Sequence, residues 1–140
     1  MYVRSQPCQG CDSGAVQIHT EGGRALGRAL RTNTALCCLN LRLNRLGDEG
    51  GRAIIDSVRQ HPRLERLDLS HNGLAALSTR ALGKCLPLNG VLREVELLGN
   101  ELGAEAGAPV RAALDAAPAL EVFSLARCGL AAADLQTIQV

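Results

Sequence analysis

The strongest constraint on this chain is that it repeats itself. The run Leu36-Cys37-Cys38-Leu39-Asn40-Leu41-Arg42-Leu43-Asn44-Arg45-Leu46 returns as Leu64, Leu67, Leu69, Asn72 and Leu74. It comes back as Leu92, Val95, Leu97, Asn100 and Leu102, and a fourth time as Leu120, Phe123, Leu125, Cys128 and Leu130. The four starts, 36, 64, 92 and 120, lie 28 residues apart each time, with no insertion. A fixed period of this length describes a stack of like units, each too small to close a core alone and each burying its apolar side against the next.

The two halves of a unit differ in periodicity. In the first half, leucines at alternate positions point to one side of an extended segment while the residues between them face the other way. The second half places apolar residues four apart, at Ile54 and Val58, Leu82 and Leu86, and Val110 and Leu114, which marks one face of a helix. Gly47-Asp48-Glu49-Gly50-Gly51 and Gly103-Ala104-Glu105-Ala106-Gly107 precede two of these helices. Their small residues let a helix lie close to its neighbour, and their acids suit a positive helix N-terminus. Pro62, Gly90 and Pro118, at equivalent places, stop the helix and return the chain to a strand.

Backward extrapolation finds Glu21-Gly22-Gly23-Arg24-Ala25 echoing Glu49-Gly50-Gly51-Arg52-Ala53, with Leu26 and Leu30 in the helix core slots. Ile18 keeps the register, Val16 stands where Asn belongs, and residues 1–15 show no repeat signature. The sequence therefore predicts an irregular segment over 1–17 and a repeat domain over 18–140. That domain comprises a half repeat (18–35) and repeats starting at 36, 64, 92 and 120, the last incomplete, with Ile138 in the slot of Ile54. Neither end looks like the polar cap that stacked repeats need for solubility.

The asparagine of each unit is the polar exception. Its amide offers donors and an acceptor to backbone groups left unpaired where strand bends toward helix, so stacking predicts a ladder of Asn44, Asn72 and Asn100, with Cys128 in the fourth place. Helices are thicker than strands, so the stack must curve with its strands on the concave side, leaving a parallel sheet open to solvent.

The LxxLxLxxN/CxL segment, the period and the Gly-rich helix start together resemble the ribonuclease-inhibitor-like subfamily of leucine-rich repeats. Arg31-Thr32-Asn33-Thr34-Ala35-Leu36 and Leu39-Asn40-Leu41-Arg42-Leu43-Asn44-Arg45-Leu46-Gly47-Asp48-Glu49-Gly50 are similar to repeats of NOD-like receptors and of the leucine-rich subunit of the ciliary dynein regulatory complex. The resemblance covers residues 18–140 and implies an α/β solenoid arc of the ribonuclease-inhibitor kind, with strands inside and helices outside. Members share a scaffold and differ in partner.

With Lys and Arg numbering 15 against 14 Asp and Glu, no net field attracts a polyanion, and Tyr2 and Phe123 are the only aromatics, which argues against nucleic acid. No apolar stretch reaches signal-peptide or membrane-span length and no Asn-x-Ser/Thr sequon exists, so the sequence reads as an intracellular, cytoplasmic protein without a membrane partner. Six cysteines are then expected as reduced thiols.

The expected partner-binding face is concave. The rows flanking the second strand leucine supply Asn40, Asp68, Glu96 and Ser124 on one side and Cys38, Arg66, Glu94 and Val122 on the other. Beyond the third leucine follow Arg42, Ser70, Leu98 and Ala126, then Leu43, His71, Gly99 and Arg127. From these, Asn40, Arg42, Arg66, Asp68, His71, Glu94, Glu96, Ser124 and Arg127 are the candidate contacts, with an acidic centre at Asp68, Glu94 and Glu96. Arg66 should sit beside Glu94, and Glu65, Arg93 and Glu121 alternate in sign across strands, which also satisfies a solvated sheet.

Cys8-x-x-Cys11 with Cys37, Cys38 and His19 has the residue types of a zinc site, but a lone C-x-x-C is a weak signal, and no metal or other cofactor is expected. His71 beside Asp68 lacks a nucleophile and a shielded pocket, so no enzyme activity is expected. Cys85 reads as a half-buried helix residue. A protein-binding scaffold is the expected function. The alternative is a structural subunit of a large assembly such as an axonemal complex in the cilium, joined or self-associating end to end through uncapped ends. Regulation of a GTPase, known for some members of the resembled group, is the third implied role.

Overall fold

The computed structural model describes residues 10–12, by their backbone, and 17–131. Five short strands, β1 (Gly10–Asp12), β2 (Cys38–Asn40), β3 (Arg66–Asp68), β4 (Glu94–Glu96) and β5 (Val122–Ser124), alternate with helices α1 (His19–Leu30), α2 (Gly47–Val58), α3 (Ala76–Cys85) and α4 (Gly107–Asp115). The sheet is parallel throughout in the order β1-β2-β3-β4-β5, with Leu39 opposite Leu67, Leu67 opposite Val95 and Val95 opposite Phe123. Strand pairing thus runs in the register of the sequence repeat. The result is the α/β arc of a leucine-rich repeat protein.

One boundary moves. The segment 1–17 was expected to be irregular, yet Gly10, Cys11 and Asp12 form β1, opposite Cys38, Leu39 and Asn40. The edge of β2 offers unpaired backbone groups that any extended chain can take up, whatever its side chains. Leu39, in the first consensus strand, is only 3% exposed. Residues 1–9, 13–16 and 132–140, including Cys8, Val16 and Ile138, lie outside the described residues.

The core is one aliphatic column. Leu41, Leu46, Ile54, Val58, Leu64, Leu69, Leu74 and Leu97 are wholly buried, each stabilised by roughly 2 kcal/mol on leaving water. Small residues set the helix spacing at its start. A methyl on Gly27 of α1 would fall 2.7 Å from the Ala53 carbonyl oxygen of α2. At the equivalent place α2 carries Ile55, and its close contact with the next unit is made through Gly51, where a Cβ would lie 2.6 Å from Leu74 Cγ and 3.0 Å from Ser78 Oγ of α3.

The asparagine ladder bridges unit to unit. Asn72 Nδ2 donates to the carbonyls of Leu41 (2.8 Å), Leu69 (3.1 Å) and Ser70 (3.0 Å), while its Oδ1 accepts from the amides of Asn44 (3.0 Å) and Leu46 (3.3 Å). Asn100 repeats the pattern toward Asn72 and Leu74, and Asn44 Oδ1 accepts from Ile18. At the fourth rung the Cys128 thiol donates to the Leu97 carbonyl at 2.9 Å. Burial raises its pKa, against an opposing pull from the Asn100 and Gly99 amides.

A second polar column went unread in the sequence, although its members share the repeat spacing. At the helix-to-strand turns Asn33 Oδ1, His61 Nδ1 and Asn89 Oδ1 each accept the amides two and three residues ahead. Asn89 Nδ2 also donates to the Val58 carbonyl at 2.8 Å. His61 is 3% exposed, and its Nε2 is buried with no hydrogen-bond partner among the described residues.

Asp48 also differs from expectation. Its carboxylate was read as serving the start of its own helix, yet it accepts the amides of Ala75, Leu77 and Ser78, all at 2.9 Å, and so caps α3 of the next unit. Helix α3 has no cap of its own, because Ala75-Ala76 stands where α2 has Gly47-Asp48.

Asn72→Ala should cost about 3 kcal/mol by leaving several buried carbonyls and amides unpaired, read as a lowered urea midpoint; an unchanged midpoint would refute the ladder's role. For Asp48, burial alone would raise the carboxyl pKa, but the amides of Ser78, Leu77 and Ala75 outweigh it and the pKa lies below its ordinary 3.8. The cap therefore contributes fully above the unfolded pKa and is lost as pH falls through the folded one. Urea melts of Asp48→Asn should show a deficit of about 1 kcal/mol at neutral pH that shrinks steadily in acid.

Candidate functional site

Strands of three residues leave little room for a face, but the pairing continues beyond them. Leu41 and Leu43 donate to Asp68 and Ser70, Leu69 and His71 to Glu96 and Leu98, and Leu97 and Gly99 to Ser124 and Ala126. This continuation keeps the concave residues of neighbouring units side by side through the turn.

At the centre Arg66 lies opposite Glu94, and Asp68 opposite Glu96. Arg66 Nε is 3.5 Å from Glu94 Oε2, with both side chains 20% exposed, as the sequence predicts. Asp68 and Glu96 thus occupy the next outward position along the same two strands. Asp68 and Glu96 in register set like charge against like, an arrangement that costs the sheet stability. Along the outer edge of the strands Arg93 pairs with Glu121.

The flanking candidates are partly spent on the fold. Asn40 Oδ1 accepts the Arg42 amide (3.0 Å) and Asp68 Oδ1 the Ser70 amide (2.9 Å), each closing a turn over its own backbone. Ser124 and Arg42 are half-buried and Arg127 is exposed. Ser70, expected outward with Arg42, is instead fully buried, its hydroxyl without a hydrogen-bond partner among the described residues. Strand alternation fails there because the chain has already entered a turn.

Left-handed backbone recurs one step later, at Leu43 (φ 61°), His71 (φ 54°), Gly99 (φ 69°) and Arg127 (φ 57°). Only one of the four is a glycine, and the structure gives it a second reason. A Cβ at Gly99 would lie 2.3 Å from the His71 imidazole, which therefore rests directly on the Gly99 backbone. His71 is half-buried there, and Leu43 beside it is 49% exposed.

For chemistry the described residues of the face offer the carboxylates of Asp68, Glu94 and Glu96, the guanidinium groups of Arg42, Arg66 and Arg127, and the imidazole of His71. The Cys85 thiol, fully buried and not half-buried as expected, is pushed up to about 12 by burial. Among the described residues no group of three His, Cys, Asp or Glu could hold a metal ion, and no helix is long and apolar enough to cross a membrane.

These repeats have relatives. The family profile described as Leucine Rich repeat matches residues 32–54. Tonsoku-like protein of Mus musculus is 36% identical over 107 residues, 73% of this chain and 8% of that protein. Ribonuclease inhibitor of Sus scrofa is 34% identical over 123 residues, 85% of this chain and 27% of the inhibitor. The chain therefore spans a small part of the relatives it matches. Among solved structures, Leiomodin-1 Actin-Binding Site 2 superposes with a TM-score of 0.74 over 91% of this chain and 75% of that one, at 17% identity, a likeness of fold alone.

Gly99→Ala should destabilise the protein by about 2 kcal/mol, combining a left-handed alanine with the imidazole clash. Adding His71→Ala should recover the part due to the clash. Equal urea midpoints for Gly99→Ala with and without that second change would show that the imidazole does not press on the glycine.

Proposed function

From a leucine-rich repeat protein with homologues in ribonuclease inhibitor and Tonsoku-like protein, we propose a non-catalytic, intracellular interaction scaffold whose concave sheet face receives a partner protein. The observation that carries this reading is the placement of Asp68, Glu94 and Glu96 with Arg66 at adjacent outward positions of β3 and β4. Asp68 against Glu96 is a pairing of like charges that stability alone would not select. A basic protein surface neutralises both, and such complementarity acts first on the rate of encounter and on the choice of partner. Asn40, Arg42, His71, Ser124 and Arg127 complete the rim of that footprint.

A second reading makes the chain a structural subunit contacting its neighbours end to end. Its support is at the β5 end, where Phe123 is half-buried while its counterpart Leu39 is 3% exposed. None of the relatives named above bears a ciliary name, so the axonemal placement rests on the sequence resemblance only.

An oligo-lysine peptide, followed by fluorescence polarisation, tests the first reading. Reversing Asp68, Glu94 and Glu96 to lysine should weaken its binding about tenfold or more and abolish pull-down of native partners while leaving circular dichroism unchanged. Binding retained by the folded triple variant would move the contact to the helices or the ends.

A further inference from the structure

A groove of about 200 Å³ runs along the convex side between α2 and α3, lined by Arg52, Asp56, Leu77, Arg80, Ala81 and Lys84. Where α1 has Gly27 close against Ala53, the same position of α2 holds the buried Ile55, and Leu77 and Ala81 of α3 line the groove.

The charges along it are unevenly matched. Arg24, Arg52 and Arg80 occupy the same place in successive units. Arg24 is paired with Glu21 and Glu49, and Arg52 with Asp56, its Nε 3.4 Å from Oδ2. Around Arg80 the position of Glu21 holds Leu77 and that of Asp56 holds Lys84, while the position of Glu49 holds Glu105, which makes no ion pair with Arg80 among the described residues. Arg80 and Lys84, both exposed, have no ion-pair partner among the described residues.

We propose that this groove is a second interaction surface, which takes an acidic segment of a partner protein. Two carboxylates one helical turn apart on that segment would face Arg80 and Lys84, and an apolar side chain between them would cover Leu77 and Ala81. Arg guanidinium favours the flat, two-oxygen geometry of a carboxylate. A long nucleic acid is the poorer occupant, because Asp56 interrupts the cationic wall and the chain as a whole carries a formal charge of only +1. The surface lies on the opposite side of the arc from the acidic sheet face, so one protein could hold two partners of opposite charge.

The probe is a short labelled helical peptide bearing two glutamates four residues apart around a leucine, with a glutamine version as control. Fluorescence polarisation should show the glutamate peptide binding about tenfold more tightly than the control. Arg80→Glu/Lys84→Glu should erase that difference, and Arg80→Ala and Lys84→Ala should each erase part of it. Asp56→Asn should tighten binding by freeing Arg52, and the concave triple variant should bind like the wild type. Undiminished binding by the Arg80 and Lys84 variants would overturn the proposal, as would displacement of the peptide by a single-stranded oligonucleotide as efficiently as by unlabelled peptide.

Discussion

The carboxamide of Asn72 faces five backbone groups at once: the carbonyls of Leu41, Leu69 and Ser70 and the amides of Asn44 and Leu46. Each would otherwise be buried unpaired at the corner where strand becomes helix, at a cost of roughly 1–3 kcal/mol apiece. Strands of only three residues are affordable because this side chain extends the polar pairing past their ends. It also fixes the register, since its oxygen accepts only from the preceding unit while its nitrogen donates to carbonyls of both units. The leucines contribute most of the stabilising free energy, but leucines alone could slide; the amide pins where each unit stops.

The same corner explains how substitution is tolerated. Cys128 can donate to one carbonyl, Leu97, and lie near two amides, so it serves where one neighbour needs less than Asn72 satisfies. His61 holds the second polar column in the same economical way, accepting two amides as Asn33 and Asn89 do, while its buried Nε2 goes unanswered. Column members are therefore interchangeable to the extent that they keep the acceptor facing the turn, and what they lose is the donor on the far side.

Much of the fold was legible in the sequence because a 28-residue period converts any one contact into several. The leucine rows, the asparagine rungs, the helix stops and the Arg66–Glu94 pair all follow from matching positions across units. What was missed lies where the period is present but the consensus is absent. Gly10, Cys11 and Asp12 keep the register without a leucine, so β1 looked irregular. Asp48 caps α3 across units, a contact invisible to any reading of one helix at a time. Ser70 obeyed the strand alternation on paper, but the turn closed by Asp68 had already ended the strand. The acidic cluster was legible as positions; the commitment of Asn40 and Asp68 to local turns was not.

Stability and recognition are divided between rows. The asparagine row is nearly constant, because each rung answers the same backbone groups. The row beside it, one residue earlier, is constrained only in backbone, holding Leu43, His71, Gly99 and Arg127 in one left-handed conformation. Side chains there vary from aliphatic to cationic, and three of the four accept a strained φ, which costs of order 1 kcal/mol each. The strand row of Cys38, Arg66, Glu94 and Val122 is freer still, a thiol, a cation, an anion and an aliphatic at one structural position. A repeat fold of this kind separates what must recur from what can differ. Chemical identity that varies at a fixed backbone position is where a partner could be read without disturbing the stack, and on the sheet that variation is greatest around Arg66 and Glu94.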